Sequence, residues 1–192
     1  MVLSSRNNSF DFKFPRKFIP TEVAEKYKKY LQKVPGALLA EPVDFINYSI
    51  QGINIPGVSF DPITQQDNDG TTRYHRGAIP IQNTINREFT VTMQLLDGYI
   101  NYWIMMDTLL YYYARSTKDP YCPDVTLRIL DAEGASVAYM EFQKPILKSI
   151  NDLNLSFSEN VAAFNTFDIS FTYNKLALKI EIDWYINYGK EY

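Results

Sequence analysis

The chain has 192 residues, enough for one compact domain with arms or two small domains, and its composition is globular, with 46% hydrophobic and 21% charged residues. Its formal net charge of -3 argues against a dedicated nucleic-acid-binding protein, which should carry a clear basic excess. Its single cysteine, Cys122, excludes an internal disulfide scaffold.

The N-terminal part of the sequence predicts a strand-like arm followed by a helix. Phe10, Phe12 and Phe14 alternate with polar residues, as in a strand with one apolar side to cover. Thr21 can cap a helix that ends at a Pro-Gly pair. The lysines of this helix are interpreted as a solvated face, because they lack the interleaved base-stacking aromatic residues of a single-strand binder. No apolar leader precedes the arm, so we expect a chain that is soluble and intracellular when made.

The next segments predict strands and a long polar connection. From Val43 to the Pro56-Gly57 pair, β-branched and aromatic residues favour strands. The stretch 61–78 is the longest polar segment, and a connection of that length in a compact domain is usually functional or disordered. It contains the single histidine, His75.

Residues 86–116 predict a strand, a turn and a helix in direct succession. The apolar side of the strand is formed by Phe89, Val91, Met93 and Leu95. After a turn at Asp97-Gly98, apolar residues at helical spacing predict the core stripe of the helix: Tyr99, Trp103, Met106, Leu110 and Tyr113. Four further apolar residues lie off this stripe: Ile104, Met105, Tyr111 and Tyr112. This surplus of apolar surface predicts a second partner for the helix.

The C-terminal third predicts more strands. Residues 125–130 and 137–142 predict a hairpin, and strands follow at 146–150, 153–158 and 167–173. Beyond Asn174-Lys175 the apolar positions change from odd to even numbers, so a bulge or turn is expected there. The last strand therefore need not belong to the same sheet. The predicted fold class is mainly β (α+β), with one dominant helix and an arm at each end.

The sequence contains no constellation typical of an enzyme. Glycine-rich phosphate loops, nucleophile elbows and zinc-type Cys/His spacings are missing from it. Cys–His catalysis would need His75, in a polar loop, to reach Cys122, which we expect to be an inert packed thiol. The run 67–70 resembles the start of a calcium loop, but Ala78 occupies the closing position, where an acidic ligand is required. We therefore predict no enzymatic activity, no metal and no cofactor.

Small polar residues occupy the polar faces of the predicted strands. They include one acid and no lysine or arginine: Thr90, Thr92, Gln94, Asn154, Ser156, Ser158, Asp168, Ser170 and Thr172. One interpretation is the ordinary solvated side of an antiparallel sheet. The other is a surface past which a polyanion slides without sticking, because phosphate affinity comes from Lys and Arg. The residues alone leave both interpretations open.

Several motifs follow one another in a recognisable order. They are INIPG at 53–57, REFTVTM at 87–93, KPILKSINDLNLSF at 144–157 and FNTFDISFTY at 164–173, arranged around a polar loop, a helix and a hairpin. This order resembles the tail tube proteins of contractile-tailed bacteriophages, to which the tube protein of type VI secretion systems is structurally similar. The resemblance covers 42–173. It divides the chain into an N-terminal arm with a short helix (1–41), a tail-tube-like β domain (42–174) and a C-terminal strand-like arm (175–192).

The resemblance implies an antiparallel β-sandwich or partial barrel with one flanking helix. Six copies would join their sheets into a ring with a continuous inner β-barrel lined by the small polar residues, and rings would stack into a tube. The loop that reaches the next ring would comprise Gln65, Gln66, Asp67, Asn68, Asp69, Gly70, Arg73 and His75. The helix would contact a neighbouring subunit through Ile104, Met105, Tyr111 and Tyr112. The arms would do so through Phe10, Phe12, Phe14, Ile180, Ile182 and Trp184.

The function that the resemblance implies is that of a structural subunit of a phage tail tube. Its partners would be further copies of itself, the sheath, baseplate or terminator proteins, and genomic DNA that passes without specific binding, with no membrane anchor. It would be assembled in the host cytoplasm and located in the virion tail. Two alternatives remain: a single-ring baseplate, tube-initiator or tail-completion protein, and a carbohydrate- or receptor-binding β-sandwich, which the many tyrosines would suit.

Overall fold

The computed structural model describes residues 9–31, 41–55, 57, 63–75, 87–114, 121–131, 133–153 and 165–180. Three helices lie within these ranges: α1 (Thr21–Leu31), α2 (Pro42–Tyr48) and α3 (Ile100–Ala114), the last after a 3-10 turn at Asp97–Tyr99. The strands are β1 (Phe10–Lys13), β2 (Ile50–Asn54), β3 (Ile63–Gln66), β4 (Thr72–His75), β5 (Glu88–Gln94), β6 (Val125–Leu130), β7 (Ser136–Gln143), β8 (Ile146–Ile150), β9 (Thr166–Thr172) and β10 (Lys175–Ile180).

The strands form two four-stranded antiparallel sheets and a separate hairpin. Sheet A has the order β1-β6-β7-β10, sheet B has the order β2-β5-β9-β8, and β3 pairs only with β4 among the described strands. Within the described ranges neither sheet closes into a barrel by itself. This arrangement confirms the predicted fold class, which is mainly β with helices beside antiparallel sheets.

Two adjacent crossings join the sheets at one corner. The chain passes from β7 of sheet A to β8 of sheet B at Lys144, and back from β9 to β10 at Asn174. Lys144 has a positive φ of 50°, and its backbone N–H donates to Asp124 Oδ1 over 2.8 Å. The Asn174 side chain donates to the Lys144 carbonyl over 3.1 Å, which ties the two crossings together. The predicted change of phase at Asn174-Lys175 is confirmed, and the last strand belongs to the other sheet.

The core between the sheets is built mainly from phenylalanine. Phe89 of β5 stacks on Phe171 of β9 at 4.9 Å between ring centroids, and it meets Phe142 of β7 at 4.3 Å. These rings alternate along their strands with polar residues on the other side, which is the pattern that identified the strands in the sequence. The buried rings fix which face of sheet B points away from the core.

The N-terminal strand belongs to this core, although the sequence predicts its phenylalanines as contacts with neighbours. Phe12 and Phe14 are buried, and Phe14 stacks on Phe18 with 4.2 Å between centroids. The side chain of Asn47 makes both hydrogen bonds to the Phe14 backbone, at 2.8 and 3.1 Å. Because β1 pairs with β6 of its own chain, its apolar side covers the chain's own core. Phe10 alone of the three stays half-buried at the edge.

The stretch after Glu41 is a helix, where the sequence had predicted a strand. Pro42 lies in the first turn of α2, where its fixed φ suits a helix and its missing N–H costs nothing. Pro42, Val43 and Ile46 are the buried residues of this helix. The β-branched composition of the segment favoured a strand, but the proline position and the tertiary burial decide for a helix. α2 is thus a helix additional to the two that the sequence predicts, α1 in the N-terminal arm and α3 beside the sheets.

Candidate assembly surfaces

The polar face of sheet B is a layer of small side chains bonded to one another. The register places Thr90 opposite Ser170 and Thr92 opposite Asp168. The hydroxyls of Thr90 and Ser170 are 3.4 Å apart, and the Thr92 hydroxyl donates to Asp168 Oδ1 over 2.6 Å. Asn151 donates to the other Asp168 oxygen over 3.2 Å. The six described members of the predicted lumen set therefore share this one face: Thr90, Thr92, Gln94, Asp168, Ser170 and Thr172.

One ion pair on this face escaped the sequence analysis. Lys148 of β8 forms an ion pair with Glu88 of β5, at the end of the row that contains Thr172. The pairing of β8 with β9 shifts register between Leu147 and Ser149, so simple alternation along β8 does not identify the face of Lys148. The remaining predicted members of the lumen set lie outside the described residues: Asn154, Ser156 and Ser158.

The polar stretch predicted as a loop forms the β3–β4 hairpin in its described part. The backbone carbonyl of Asp67 accepts a hydrogen bond from the Gly70 backbone N–H over 3.0 Å, and Gly70 has the positive φ of 82° that such a turn requires. Asp67 also pairs with Arg73 across the hairpin at 2.6 Å. The backbone N–H of Thr71 bonds the Asp69 carboxylate and lowers its pKa.

All eight residues predicted to reach a neighbouring ring lie on this hairpin. Apart from Asp67, which is half-buried, their side chains are exposed. The turn hydrogen bond and the Asp67–Arg73 ion pair lie within the hairpin itself, so it does not depend on pairing with either sheet for its shape. The geometry supplies an ordered, solvent-facing element of the kind that a docking contact needs.

The faces of α3 are largely the reverse of those predicted, although Tyr99 and Met106 of the predicted stripe do pack against the core. Ile104 and Met105, expected to face a neighbour, are both 0% exposed inside the chain, and Tyr111 and Tyr112 are half-buried. Trp103, expected in the core stripe, is 48% exposed. From the same stripe, Leu110 and Tyr113 are exposed as well. The surplus apolar surface of the helix is real, but it lies on the opposite side.

Two buried polar residues explain the reversal. Asn101 donates to the Gln94 carbonyl over 2.6 Å and accepts from the Leu96 N–H over 3.2 Å. Thr108 bonds the Ile104 carbonyl one turn before it, over 2.8 Å. Both residues satisfy their polar groups locally and can therefore lie in the core. In the sequence they make the true core face look polar.

A carboxylate links α3 to α1 beside the exposed face. Asp107 Oδ2 accepts hydrogen bonds from Lys26 Nζ at 2.5 Å and from the Tyr27 hydroxyl at 2.7 Å. Partial burial acts to raise the pKa of Asp107, but the bonds from Lys26 and Tyr27 outweigh it and hold this pKa below its usual range. Burial, together with the Asp107 carboxylate, raises the pKa of Tyr27. Lys26, one of the α1 lysines interpreted as a solvated face, is thus bonded to Asp107 of α3.

The apolar face of sheet A extends beyond the core that covers it. Leu178 and Ile180 of β10 are 56% and 54% exposed, and Ile129 of β6 lies in the same row as Ile180. Ile180 is the described member of the predicted C-terminal arm contacts, and Ile182 and Trp184 lie outside the described residues.

The two residues that Cys–His chemistry would need, Cys122 and His75, lie in different environments. The Cys122 thiol is buried, and this burial raises its pKa to about 11 despite bonds from Tyr112 and the Leu147 backbone. His75 is exposed at the end of β4. In the described part of the chain no three His, Cys, Asp or Glu side chains are grouped to hold a metal ion. Among the same residues no helix is long and apolar enough to cross a membrane.

Comparison with known proteins gives matches at the level of structure alone. No family model and no curated protein matches the chain. A chain from the tube-terminating cap of the anti-feeding prophage is similar over 68% of this chain and 80% of that one, at 10% identity and a TM-score of 0.45.

Two further solved structures show similar values. A chain of the sheath–tube complex of the extracellular contractile injection system PVC covers 68% of this chain and 80% of its own, at 11% identity and a TM-score of 0.44. The crystal structure of an Hcp protein is similar over 91% of this chain and 93% of the Hcp chain, at 13% identity and a TM-score of 0.40. The chain is similar in structure to these three proteins at low sequence identity.

Proposed function

We propose that the protein is a structural, non-enzymatic subunit of a phage-type tail tube. Copies join edge to edge through sheet B into a ring, with six copies as the family resemblance implies, and the rings stack into a conduit. The observation that carries the proposal is the strand arrangement of sheet B. In the described ranges it has four strands, all antiparallel, so its two edges β2 and β8 run in opposite directions.

Edges of opposite direction allow a ring of identical copies to close with antiparallel pairing. Rotation about the ring axis keeps the strand directions of every copy, so β8 of one copy meets β2 of the next in antiparallel orientation. An odd number of strands would bring parallel edges together. A head-to-tail interface of this kind closes into a ring when the rotation divides the circle. Closure also removes the unpaired edges that otherwise promote aggregation.

The polar face of sheet B suits the inside of such a ring. Its apolar side is covered by Phe142 and the rest of the core, so the ring would expose the hydroxyl layer to the channel. The hydroxyls of Thr90, Thr92 and Ser170 bond to Asp168 or to one another, and Lys148 is paired with Glu88. Few groups are left to hold phosphates, and a lining of this chemistry lets duplex DNA pass without specific binding.

The remaining surfaces fit contacts along and around the tube. The β3–β4 hairpin projects as an ordered element and is proposed to reach the adjacent ring. The exposed side of α3, with Trp103, Leu110 and Tyr113, is proposed to meet sheath, baseplate or terminator proteins. The protein would accordingly be located in a tail-like particle, assembled in the cytoplasm of the host.

Electron microscopy of the purified protein over a range of concentrations tests the proposal. Rings with a central channel that stack into tubes are the expected result. Single rings that never stack would favour the alternative of a baseplate or tail-completion component. Monomers at every concentration, together with binding to immobilised glycans, would favour a carbohydrate-binding sandwich and contradict the tube.

A further inference from the structure

Sheet A has two edges that the ring through sheet B does not use. Among the described residues its strand order makes β1 one edge and β10 the other, and with four antiparallel strands these edges run in opposite directions. The core-facing side of β10 carries Leu178 and Ile180, both more than half exposed. An edge strand with a row of uncovered apolar side chains is a template for pairing with another chain.

The cross-strand rows of sheet A lead directly from one edge to the other. One row on the core side runs Phe12, Leu127, Met140 and Leu178. The next row runs Phe10, Ile129, Ala138 and Ile180. Each row begins with a phenylalanine on β1 and ends with an exposed aliphatic residue on β10. A second copy placed with its β1 beside β10 would continue both rows without a break.

We propose that β10 of one copy pairs with β1 of a second copy, so that sheet A also continues between subunits. The pairing is antiparallel, with Phe10 opposite Ile180, Asp11 opposite Lys179, Phe12 opposite Leu178 and Lys13 opposite Ala177. This contact deepens the proposed function and rests on it for its biological setting, since both require assembly of identical copies.

Charge selects this register among the available ones. On the other side of the sheet Lys179 lies over the Tyr139 ring, 5.5 Å from its centroid, and Asp11 of the second copy would face it. Asp11 already holds Lys13 at 3.0 Å, and Lys13 would face the neutral Ala177. A shift by two residues would place Lys13 opposite Lys175, and like charges directly opposite are destabilising. A shift by one would turn the phenylalanines to the lysine side.

The choice of a second copy as the occupant follows from this complementarity. Both edges belong to the same chain, so each copy brings the acid that matches Lys179 and the phenylalanine that matches Ile180. The contact is heterologous, since β10 of one molecule uses β1 of another, and every copy keeps a free edge of each kind for the next. The pairing therefore extends from copy to copy.

Disulfide trapping in the full-length chain tests the register. In Asp11→Cys/Lys179→Cys the two cysteines of different copies face each other, and mild oxidation with copper-phenanthroline should give a ladder of covalent oligomers on a non-reducing gel. The native Cys122 is buried and does not interfere. The matched control is Asp11→Cys/Lys175→Cys, whose residues are four positions out of register. A missing ladder, or an equal ladder in the control, would overturn the proposal.

Charge reversal provides a second readout. Lys179→Glu should weaken self-association about tenfold, because it places two acids opposite each other. Adding Asp11→Lys should restore most of the loss, which a general folding defect would not allow. Equal association by wild type and Lys179→Glu would contradict the pairing. Tubes that form without the cysteine ladder would refute this contact and leave the proposed function standing. A ladder without rings or tubes would support this contact and contradict the proposed function.

Discussion

At the scale of single residues, Asn101 decides how the long helix lies. Its amide makes two hydrogen bonds, one with the Gln94 carbonyl and one with the Leu96 N–H, and its side chain is buried among apolar neighbours. Such a residue orients the start of α3 relative to the end of β5. The exposed Trp103, two residues later, has no comparable task in the single subunit.

This difference predicts contrasting effects of two substitutions. Asn101→Leu leaves a partly buried backbone donor and acceptor without this partner and should lower the free energy of unfolding by about 1–3 kcal/mol. Trp103→Gln changes an exposed position and should cost less than about 1 kcal/mol. Urea unfolding followed by circular dichroism measures both. If Trp103→Gln proved the more damaging variant, the helix would lie with its other face to the core.

The lining proposed for the channel can be challenged with a single lysine. Ser170→Lys adds one cation per copy, repeated around every ring, and should increase retention of short duplex DNA in assembled tubes at least tenfold at low salt. Ser170→Gln is the control of similar bulk without charge. Thr92 would be a poorer position, because the Asp168 carboxylate opposite would neutralise a lysine there.

Fluorescence anisotropy of labelled duplex DNA checks this prediction, with tube formation verified by microscopy. Retention by the lysine variant should disappear as salt rises, since phosphate contacts are screened and release counterions. Equal retention by the lysine and glutamine variants would mean that Ser170 does not line the channel.

At the scale of elements, alternation was a reliable guide and composition was not. β5 and β9 have one fully apolar side and one polar side, so period two alone identified both strands and their faces. α2 was missed because β-branched residues outweighed the signal of Pro42. The faces of α3 were exchanged because Asn101 and Thr108 satisfy their polar groups within the core, which no hydrophobic count registers. Lys148 was missed because a register shift precedes Ser149 in β8.

The β3–β4 hairpin is the element whose function can be removed without touching the core. Replacing 66–72 by Asn-Gly keeps Gln65 opposite Arg73 and closes the strands with a tight turn. Because the removed side chains are mostly exposed, stability should change by less than about 1 kcal/mol. Rings should form and fail to stack, which electron microscopy and sedimentation velocity distinguish. Asn68→Ala, which keeps the hairpin, serves as the control. Tubes of normal length from the shortened variant would end the inter-ring assignment.

At the scale of the whole molecule, one bent antiparallel ribbon organises the fold. β7 leads into β8 and β9 leads into β10, and the two paths turn between the sheets at the same corner, where Asn174 bonds Lys144. Sheet A and sheet B therefore share a core but keep their own edges. In the described residues each sheet has four antiparallel strands, so the two edge strands of each sheet run in opposite directions. A chain built in this way would offer edges of opposite direction to both of the inter-copy contacts proposed above.

The shared core also makes the protein sensitive to alkali. Burial raises the pKa of Cys122 from its ordinary value near 9 to about 11, and burial likewise raises the pKa of Tyr27 and of Tyr173. Below pH 9 the thiol is protonated in both the folded and the unfolded state, and its contribution to stability is fully present. Above pH 9 the unfolded chain loses the thiol proton while the folded chain keeps it. Stability should therefore fall as the pH rises from 9 towards 11, by about 1.4 kcal/mol per pH unit for the thiol alone.

Urea titrations at pH 8, 9.5 and 10.5 measure this dependence, and Cys122→Ala separates the thiol from the tyrosines. The variant will be less stable at every pH, because a buried side chain is shortened. The informative quantity is the slope of stability against pH, which should be shallower for Cys122→Ala between pH 9 and 11, because only the wild type has a thiol that stays protonated in the folded state there. Tyr27 and Tyr173 are present in both proteins and add equally to both slopes. Identical slopes in this pH range would show that the wild-type thiol is not shielded from water, and the packing assigned to Cys122 against the core would then be wrong.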